Sequence, residues 1–518
     1  MMDLIIALIY SMGRMFLAYI VSVITALVLG VSMARNRYLE AVLLPILDIL
    51  QSVPILGFLP VALLYIARLL PGMLGVEVAV VFLLTTGMVW NIIFGVYSSV
   101  KSLDPSIDDL VKTYRLGLAT RFFTIYSQAG IKSIGANSLI SWAGGWFFIT
   151  SAEVMVGGEG KGVIGIGSEI IKSFTMGDYA RFVIGLLILV ISIVATYIFI
   201  WNPMVSESTG IRLVDVGILY DEVFKPLARI TWDGLAEACI WFESKLVTLV
   251  RSLAIPGRIV RGSAYGILAV LVALAMVNIS RAVISYGGYL IRVSTTDVLV
   301  LISNTTITLA RVATVVLISV VITVILAYAS YLAIVYGEKS LGHQVIVLLG
   351  EILASIPAIL WWPILSYIAF KGSMGQYIVA FIVFLQGTIW YSYFNILIFG
   401  LSSIGKELTE LSRVYRIKGS LFLRTLFIPA MLPSVASGAL SAWGGCWNSS
   451  IVAEYMALGT SIINLGGIGS LLDIYAAEND YTHLTLALIM FSIVIAIINI
   501  VFWRGVVFKK VSRRFTVA

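Results

Sequence analysis

"SAWGGCWNSSIVAEYM" occupies residues 441–456, and nearly the same string, "SWAGGWFFITSAEVM", occupies residues 141–155. The first, up to Ala453, lies in a stretch, 425–453, that carries no charged residue. A helix needs about 20 mostly apolar residues to cross the hydrocarbon of a bilayer, so both strings read as membrane-spanning helices. Placing residues 109–156 over 410–457 gives 13 identities in 48 positions, including Tyr114/Tyr415, Arg115/Arg416, Trp142/Trp443, Trp146/Trp447 and Glu153/Glu454. The likeness continues outward. "SVPILGFLP" (52–60) matches "SIPAILWWP" (355–363), Trp90 matches Trp390, "GIGS" recurs at 165–168 and 467–470, and Arg14 and Arg311 open equivalent helices. The chain is therefore read as two similar halves in tandem, 1–206 and 262–518, joined by a linker, 207–261.

Composition agrees. The 518 residues are 60% hydrophobic and only 12% charged, with a mean hydropathy of +1.03. Soluble domains carry roughly 25% charged residues, so the class is an all-α polytopic membrane protein. The net charge of +7 is small for this length and calls for no nucleic-acid partner. Cys239 and Cys446 are far apart, and His343 and His483 are the only histidines. No disulfide framework, metal site or histidine-based catalytic site is expected. No basic segment followed by a cleavage site opens the sequence, so a removable signal peptide is not expected either.

Uncharged runs predict eleven spans: 15–34, 49–67, 78–100, 133–152, 182–203, 262–280, 312–337, 352–370, 375–399, 433–453 and 484–503. The first half takes five and the second six, and residues 1–12 read as a short outer helix ahead of the first span. Lysine and arginine collect in 34–37, 101–132, 207–261, 406–424 and 504–514. The positive-inside rule puts these on the cytoplasmic side, with the N-terminus outside and the C-terminus in the cytoplasm of a cell membrane. Both loops that precede the repeated string then share one side, so the halves are parallel repeats. The linker stretch "IRLVDVGILYDEVFKPLARI" (211–230) mixes apolar and charged residues at helical spacing. It fits helices lying on the membrane surface, or a plain tether.

At 100° per residue, Trp443, Trp447, Ser450 and Glu454 form one stripe, and Trp142, Trp146 and Glu153 form the same stripe in the first half. Intramembrane carboxylates are costly unless they face protein or a cavity. The doubled stripe is therefore expected to line the translocation pathway or its gate. The alternative is that the tryptophans are interfacial anchors. Asn448, Ser449 and Ser450 stand where the first copy has an apolar run, so polar contact with a solute is expected from the second copy.

Ahead of each string lies a basic loop. In "KELTELSRVYRIKGSLFLRTLFIPAMLPS" (406–434) the pattern resembles the EAA loop of ABC importer permeases, Glu-Ala-Ala, a glycine four residues on, and two later prolines. Glu410 stands at the glutamate, Ser412 at the second alanine, Arg416 at the glycine, and Pro429 and Pro433 at the prolines. In the first half Asp109 stands at the glutamate and Arg115 at the glycine, while Gln128 and Lys132 replace the prolines, so that copy departs further from the pattern. The remaining motifs, over about 10–200 and 300–505, resemble permeases of the nitrate, sulfonate, taurine and bicarbonate type. The resemblance implies two type I permease repeats and a role in forming the pathway of an ATP-driven importer. It implies a small anion or sulfonate-like solute delivered by an external binding protein. Two ATPase subunits would dock on the loops around 107–121 and 408–422, where Tyr114 and Tyr415 also lie. With both copies in one chain a homodimer is not required. No G-x-x-x-x-G-K-[ST] loop is present; the lookalike "GGEGKGV" (157–163) lacks the Ser/Thr. ATP and Mg²⁺ are expected on partner subunits, with no cofactor in this chain and no enzymatic activity of its own. The rival readings are a secondary transporter built from parallel repeats, which would need coupling-ion ligands, and a membrane-embedded enzyme, which would need clustered acids or histidines. The "GIGS" repeats read as tight turns.

Overall fold

A computed structural model describes residues 2–52, 72–104, 106–158, 163–201, 225–252, 294–336, 341–354, 356–401, 406–417, 419–458 and 461–511, with isolated positions between them. The first half contains α1 (Met2–Arg35), α2 (Arg37–Ser52), α3 (Met73–Lys101), α4 (Ser106–Thr113) and α5 (Leu118–Arg121). A wide π-type turn, Phe122–Tyr126, carries α5 into α6 (Ser127–Gly158). Then come α7 (Ile166–Thr175) and α8 (Tyr179–Thr196). The linker contributes α9 (Lys225–Ser252). The second half contains α10 (Thr295–Tyr336), α11 (Leu341–Ala354), α12 (Trp361–Ile364), α13 (Ser366–Ala369), α14 (Ser373–Phe394), α15 (Lys406–Val414) and α16 (Gly419–Phe422). Another π-type turn, Leu423–Phe427, leads into α17 (Ile428–Glu454), and α18 (Ile468–Ala477) and α19 (Tyr481–Ile498) follow.

Seven described helical runs are long and apolar enough to cross a membrane: Met2–Arg35, Met73–Lys101, Tyr179–Trp201, Thr295–Ile334, Ser373–Leu397, Gly419–Glu454 and Tyr481–Val511. The chain is an all-α polytopic membrane protein with one small addition. Strands β1 (Tyr455–Leu458) and β2 (Ser461–Asn464) form an antiparallel hairpin that pairs Tyr455 with Asn464 and Leu458 with Ser461. The strand segments follow directly from the end of α17, and the Leu465 N–H returns to the Glu454 carbonyl at 3.0 Å.

Two expectations need correction. Residues 1–12 are not a separate outer helix but the first turns of the continuous α1. Its sequence holds no proline, and its one early glycine, Gly13, faces open space, so nothing breaks the hydrogen-bond ladder. The span expected at 352–370 is not one helix either. α11 ends at Ala354, and the chain continues as a 3₁₀ turn, Ala358–Leu360, and the short α12 and α13. Pro357 and Pro363 supply no N–H to a continuous ladder. The spans expected at 49–67 and 262–280 lie largely or wholly outside the described residues, as does most of 207–224.

Within each half three long helices form the core. α1 packs along α3 and α3 along α6; α10 packs on α14 and α17, and α14 along α17. The approach is close where glycine faces a larger side chain. A Cβ on Gly87 would run into the Phe148 ring, and one on its counterpart Gly387 would run into Ser449. Phe148 and Ser449 are themselves counterparts, so the two helix pairs cross at the same register.

Candidate functional site

The glutamates of the repeated string sit at the centre of a buried cluster in each half. Glu153 and Glu454 both have no solvent exposure. Glu153 accepts from Ser11 Oγ at 2.6 Å, from Arg14 Nη1 at 3.0 Å and from the Gly167 N–H at 2.9 Å. Glu454 accepts from Thr308 Oγ1 at 2.8 Å, from Arg311 Nη1 at 2.6 Å and from the Gly469 N–H at 2.9 Å. The same two hydroxyls also accept backbone N–H groups of the "GIGS" segments, Ile166 at 3.0 Å and Ile468 at 2.9 Å. A buried charge is tolerated when it is paired and its lone pairs are filled, and both carboxylates meet that condition. The cluster explains "GIGS" differently from the expected turn. A Cβ on Gly165 or Gly467 would collide with the glutamate carboxylate. Gly165 is extended, at φ −162°, so its need is for space. Gly467, at φ 115°, needs both space and glycine's backbone freedom.

The tryptophans continue the stripe into the same interiors. Trp142 packs edge-on to Trp146 and against Trp201, and Trp443 packs edge-on to Trp447 and against Trp503. All four are buried, and their indole N–H groups have no hydrogen-bond partner among the described residues. Ser450 is buried and bonds the Trp447 carbonyl at 2.7 Å. In this structure Trp142, Trp146, Glu153, Trp443, Trp447, Ser450 and Glu454, expected along the pathway, are buried within their own halves, where the stripe packs α6 and α17 against neighbouring helices. One conserved geometry satisfies two needs at once, since burying the aromatics and pairing the acid with arginine both require the protein interior.

The face about 100° round from the tryptophans looks into a cleft between the halves. This cleft has a volume of about 290 Å³ and carries Gln51, Asn91 and Asn137 from the first half and Asn395, Ser437, Ser441 and Asn448 from the second, beside Trp90 and Tyr391. Ser437, Ser441, Gly444 and Asn448 follow one another at helical spacing on α17. Among the described residues lining it, none carries a charged side chain at neutral pH. Asn448 Oδ1 accepts the Ile55 N–H of the opposite half at 2.6 Å, while its Nδ2 donates to the Gly444 carbonyl at 3.1 Å. Asn395 Nδ2 donates to the Tyr391 carbonyl at 2.8 Å. The two halves exchange residues across the pseudosymmetry. Asn137 crowds Gly95, whereas at the corresponding contact Asn395 lies against Gly438. Gly144 and Gly445, also counterparts, both face Tyr391.

The two loops fold alike despite their different match to the EAA pattern. α4 and α15 each end on an arginine in the left-handed region, Arg115 at φ 49° and Arg416 at φ 52°. The Leu116 N–H reaches back to the Val111 carbonyl at 3.2 Å and the Ile417 N–H to the Ser412 carbonyl at 2.9 Å. These are Schellman closures, which normally place glycine at the left-handed position. The conformation of the consensus glycine is thus kept while its residue type is not, at a cost of roughly 1–2 kcal/mol each. Tyr114 and Tyr415 are each 71% exposed beside these arginines. Glu410 is exposed and Ser412 buried. Asp109 is exposed, and among the described residues its carboxylate meets only Lys112, at 3.2 Å. α4 starts where the Asp104 carboxylate accepts the Ser106 N–H at 2.8 Å, a bond that lowers its pKa from the ordinary aspartate value. Pro429 falls in the first turn of α17 and Pro433 inside it. The π-type turn before α17 also precedes α6, which lacks both prolines, so the prolines do not create it.

The first loop has a support that sequence reading missed. Glu243 of α9 accepts the N–H groups of Leu118 at 2.6 Å and Ala119 at 3.0 Å, and Trp232 packs on Phe123 at 5.1 Å. Among the described residues no carboxylate meets the corresponding Gly419 and Ser420 amides. The signal for the arginine–glutamate clusters was present in the sequence, as one arginine and one glutamate at matched positions of each repeat. No comparable signal marked Glu243 or the cleft amides.

Known proteins resemble part of the chain. A nitrate import permease protein, NrtB, of Synechocystis sp. is 22% identical over 152 residues, 29% of this chain and 53% of that protein. A bicarbonate transport system permease protein, CmpB, of the same organism is 26% identical over 157 residues, 30% of this chain and 52% of that protein. NrtB of Leptolyngbya laminosa is 22% identical over 177 residues, 34% and 59% of the two chains. The chain thus spans about half the length of these relatives in each alignment. The model of the binding-protein-dependent transport system inner membrane component matches twice, at residues 26–201 and 325–514. With most of its length covered by two successive copies, the chain belongs to the family of inner membrane components of binding-protein-dependent transport systems.

Proposed function

We propose that the chain is a transmembrane subunit of an ATP-driven importer, with the uncharged cleft as the pathway for a small inorganic anion. The observation that carries this reading is the pair of loops: each presents an exposed Tyr-Arg at the end of an identical left-handed turn, one in each half, and the cleft lies between those halves. Two cytoplasmic ATPase subunits, bearing ATP and Mg²⁺, would dock there, and an extracytoplasmic binding protein would deliver solute on the opposite face. The positive-inside reading then puts the N-terminus outside and the C-terminus in the cytoplasm of the cell membrane.

A lining of amides and hydroxyls suits a solute that must bind and leave, because a full opposite charge would trap an anion. Asn448 and Asn395 each commit one amide hydrogen to the protein and retain another toward the cleft. Nitrate and bicarbonate, the solutes named for the relatives, are the first to try. The test is reconstitution in proteoliposomes with the ATPase and binding-protein partners, following ATP-dependent uptake of labelled nitrate or bicarbonate. Asn448→Leu is expected to reduce uptake with ATPase binding intact. Uptake by the chain alone, driven by an ion gradient, would overturn the importer reading in favour of a secondary transporter.

A further inference from the structure

The two arginine–glutamate clusters differ at one position, and the difference leaves a site. In the first half Arg14 is held on both edges. Its Nη1 serves Glu153 and the Ile164 carbonyl, and its Nε and Nη2 form a forked pair with Glu77 of α3 at 2.6 and 2.7 Å. Gly72 and Gly372 precede the equivalent helices α3 and α14, which makes Tyr377 the counterpart of Glu77. In the second half, accordingly, Arg311 has no second carboxylate among the described residues. Its Nη1 serves Glu454 and the Gly466 carbonyl, its Nη2 serves the Leu465 carbonyl at 2.8 Å, and its Nε has no acceptor among the described residues. Its side chain is 24% exposed, against 5% for Arg14.

Where Glu77 sits in one half, a groove of about 360 Å³ opens in the other, with Arg311 at its polar end and Val315, Phe381 and Phe384 along it. Among the described residues nothing covers Ala310, Thr314, Tyr377 and Phe381, which are exposed on two helices long and apolar enough to cross a membrane, so the groove opens away from the cleft. A hydrocarbon layer set on the uncharged run 312–337, which begins one residue after Arg311 and is long enough to cross it, puts Arg311 at headgroup level, in the leaflet opposite the coupling loops. Guanidinium binds phosphate through its planar fork, and an apolar trough running inward from it fits an acyl chain.

We propose that this groove is a binding site for an anionic phospholipid, whose phosphate takes the place on Arg311 that the Glu77 carboxylate takes on Arg14. The chemistry recognised is a phosphate-type oxyanion, and the acyl chain decides for a lipid over a soluble ion. Bound lipid gives the second cluster the same net charge as the first.

The full chain is placed in nanodiscs of phosphatidylcholine with a minor share of phosphatidylglycerol, and tightly retained lipid is counted by mass spectrometry after delipidation. The wild type is expected to retain phosphatidylglycerol. Tyr377→Glu, which supplies the first half's carboxylate, is expected to lower that retention about tenfold, the worth of one charge-assisted hydrogen bond. Tyr377→Gln is expected to keep it. Ala380→Phe, which fills the trough without touching the charges, is expected to remove it as well and covers the case in which Tyr377→Glu does not fold. Equal retention by wild type and both Tyr377→Glu and Ala380→Phe, or no retention by the wild type, overturns the proposal. A thermal shift of the wild type by millimolar inorganic phosphate in pure phosphatidylcholine, matching that of phosphatidylglycerol, would identify a soluble oxyanion and overturn the lipid assignment.

Discussion

In the first half of this protein the polar sites have partners that the described residues of the second half lack. Arg14 has Glu77 as well as Glu153; among the described residues Arg311 has Glu454 alone. The first loop is capped by Glu243 from the linker, whereas no carboxylate among the described residues meets the corresponding amides of the second. On the cleft-facing side of α17, Ser437, Ser441 and Asn448 stand where α6 has Ala136, Ile140 and Phe147. Duplication supplied two equal frameworks. The arginine–glutamate clusters and the tryptophan pairs are the same in both halves, while most residues facing the cleft and the Glu77/Tyr377 position differ.

The largest effect that can separate the halves is on the buried carboxylates. Glu454→Ala leaves Arg311 without any carboxylate and is expected to cost about 3–5 kcal/mol, the range for breaking a buried pair. Glu153→Ala leaves Arg14 its fork with Glu77 and should cost less, by roughly 1.5 kcal/mol, the worth of a hydrogen bond to a charged group. Thermal unfolding of the two variants in one detergent ranks them, and equal losses would mean that Glu77 contributes nothing. Next come the glycines. Gly165→Ala and Gly467→Ala both push into a carboxylate, but only the second also strains the backbone, so it should be the more destabilising by about 1 kcal/mol or more.

A smaller effect tests the linker. Glu243→Gln should raise hydrogen exchange at the Leu118 and Ala119 amides about tenfold, with no change at Gly419 and Ser420. Equal exchange in wild type and variant would show that the cap is not maintained in solution. The smallest concerns the left-handed arginines. Arg115→Gly and Arg416→Gly should each relieve about 1 kcal/mol of backbone strain. ATP-driven uptake in the reconstituted system should nonetheless fall if the guanidinium groups contact the ATPases. Uptake that rises with stability would remove the arginines from the docking surface.

Much of the frame was legible because it is periodic. Uncharged runs of spanning length, repeated tryptophans and matched loops survive in a one-dimensional string, and they led to two tandem permease halves. The direction of the Trp-Glu stripe was not legible. Helical spacing shows that Trp443, Trp447 and Glu454 share a face, but both an interior and a pore would accept that face. The decision rests on Arg14, Ser11 and the "GIGS" amides, which are distant in sequence and meet the glutamates only in the fold. The break in the 352–370 run was marked by Pro357 and Pro363, yet its apolar composition outweighed them in a count of charges.

By itself, then, the sequence determined the membrane class, the duplication and the positions of the two loops, because hydropathy, repeat spacing and charge distribution are properties of the chain alone. Tertiary structure decided which face of α17 meets the cleft, why glycine is needed at 165 and 467, how Arg115 and Arg416 keep a glycine's conformation, and where Arg311 lacks the partner that Arg14 has. Each of these depends on which remote group arrives within hydrogen-bonding distance, and that is set by the packing of helices rather than by their order.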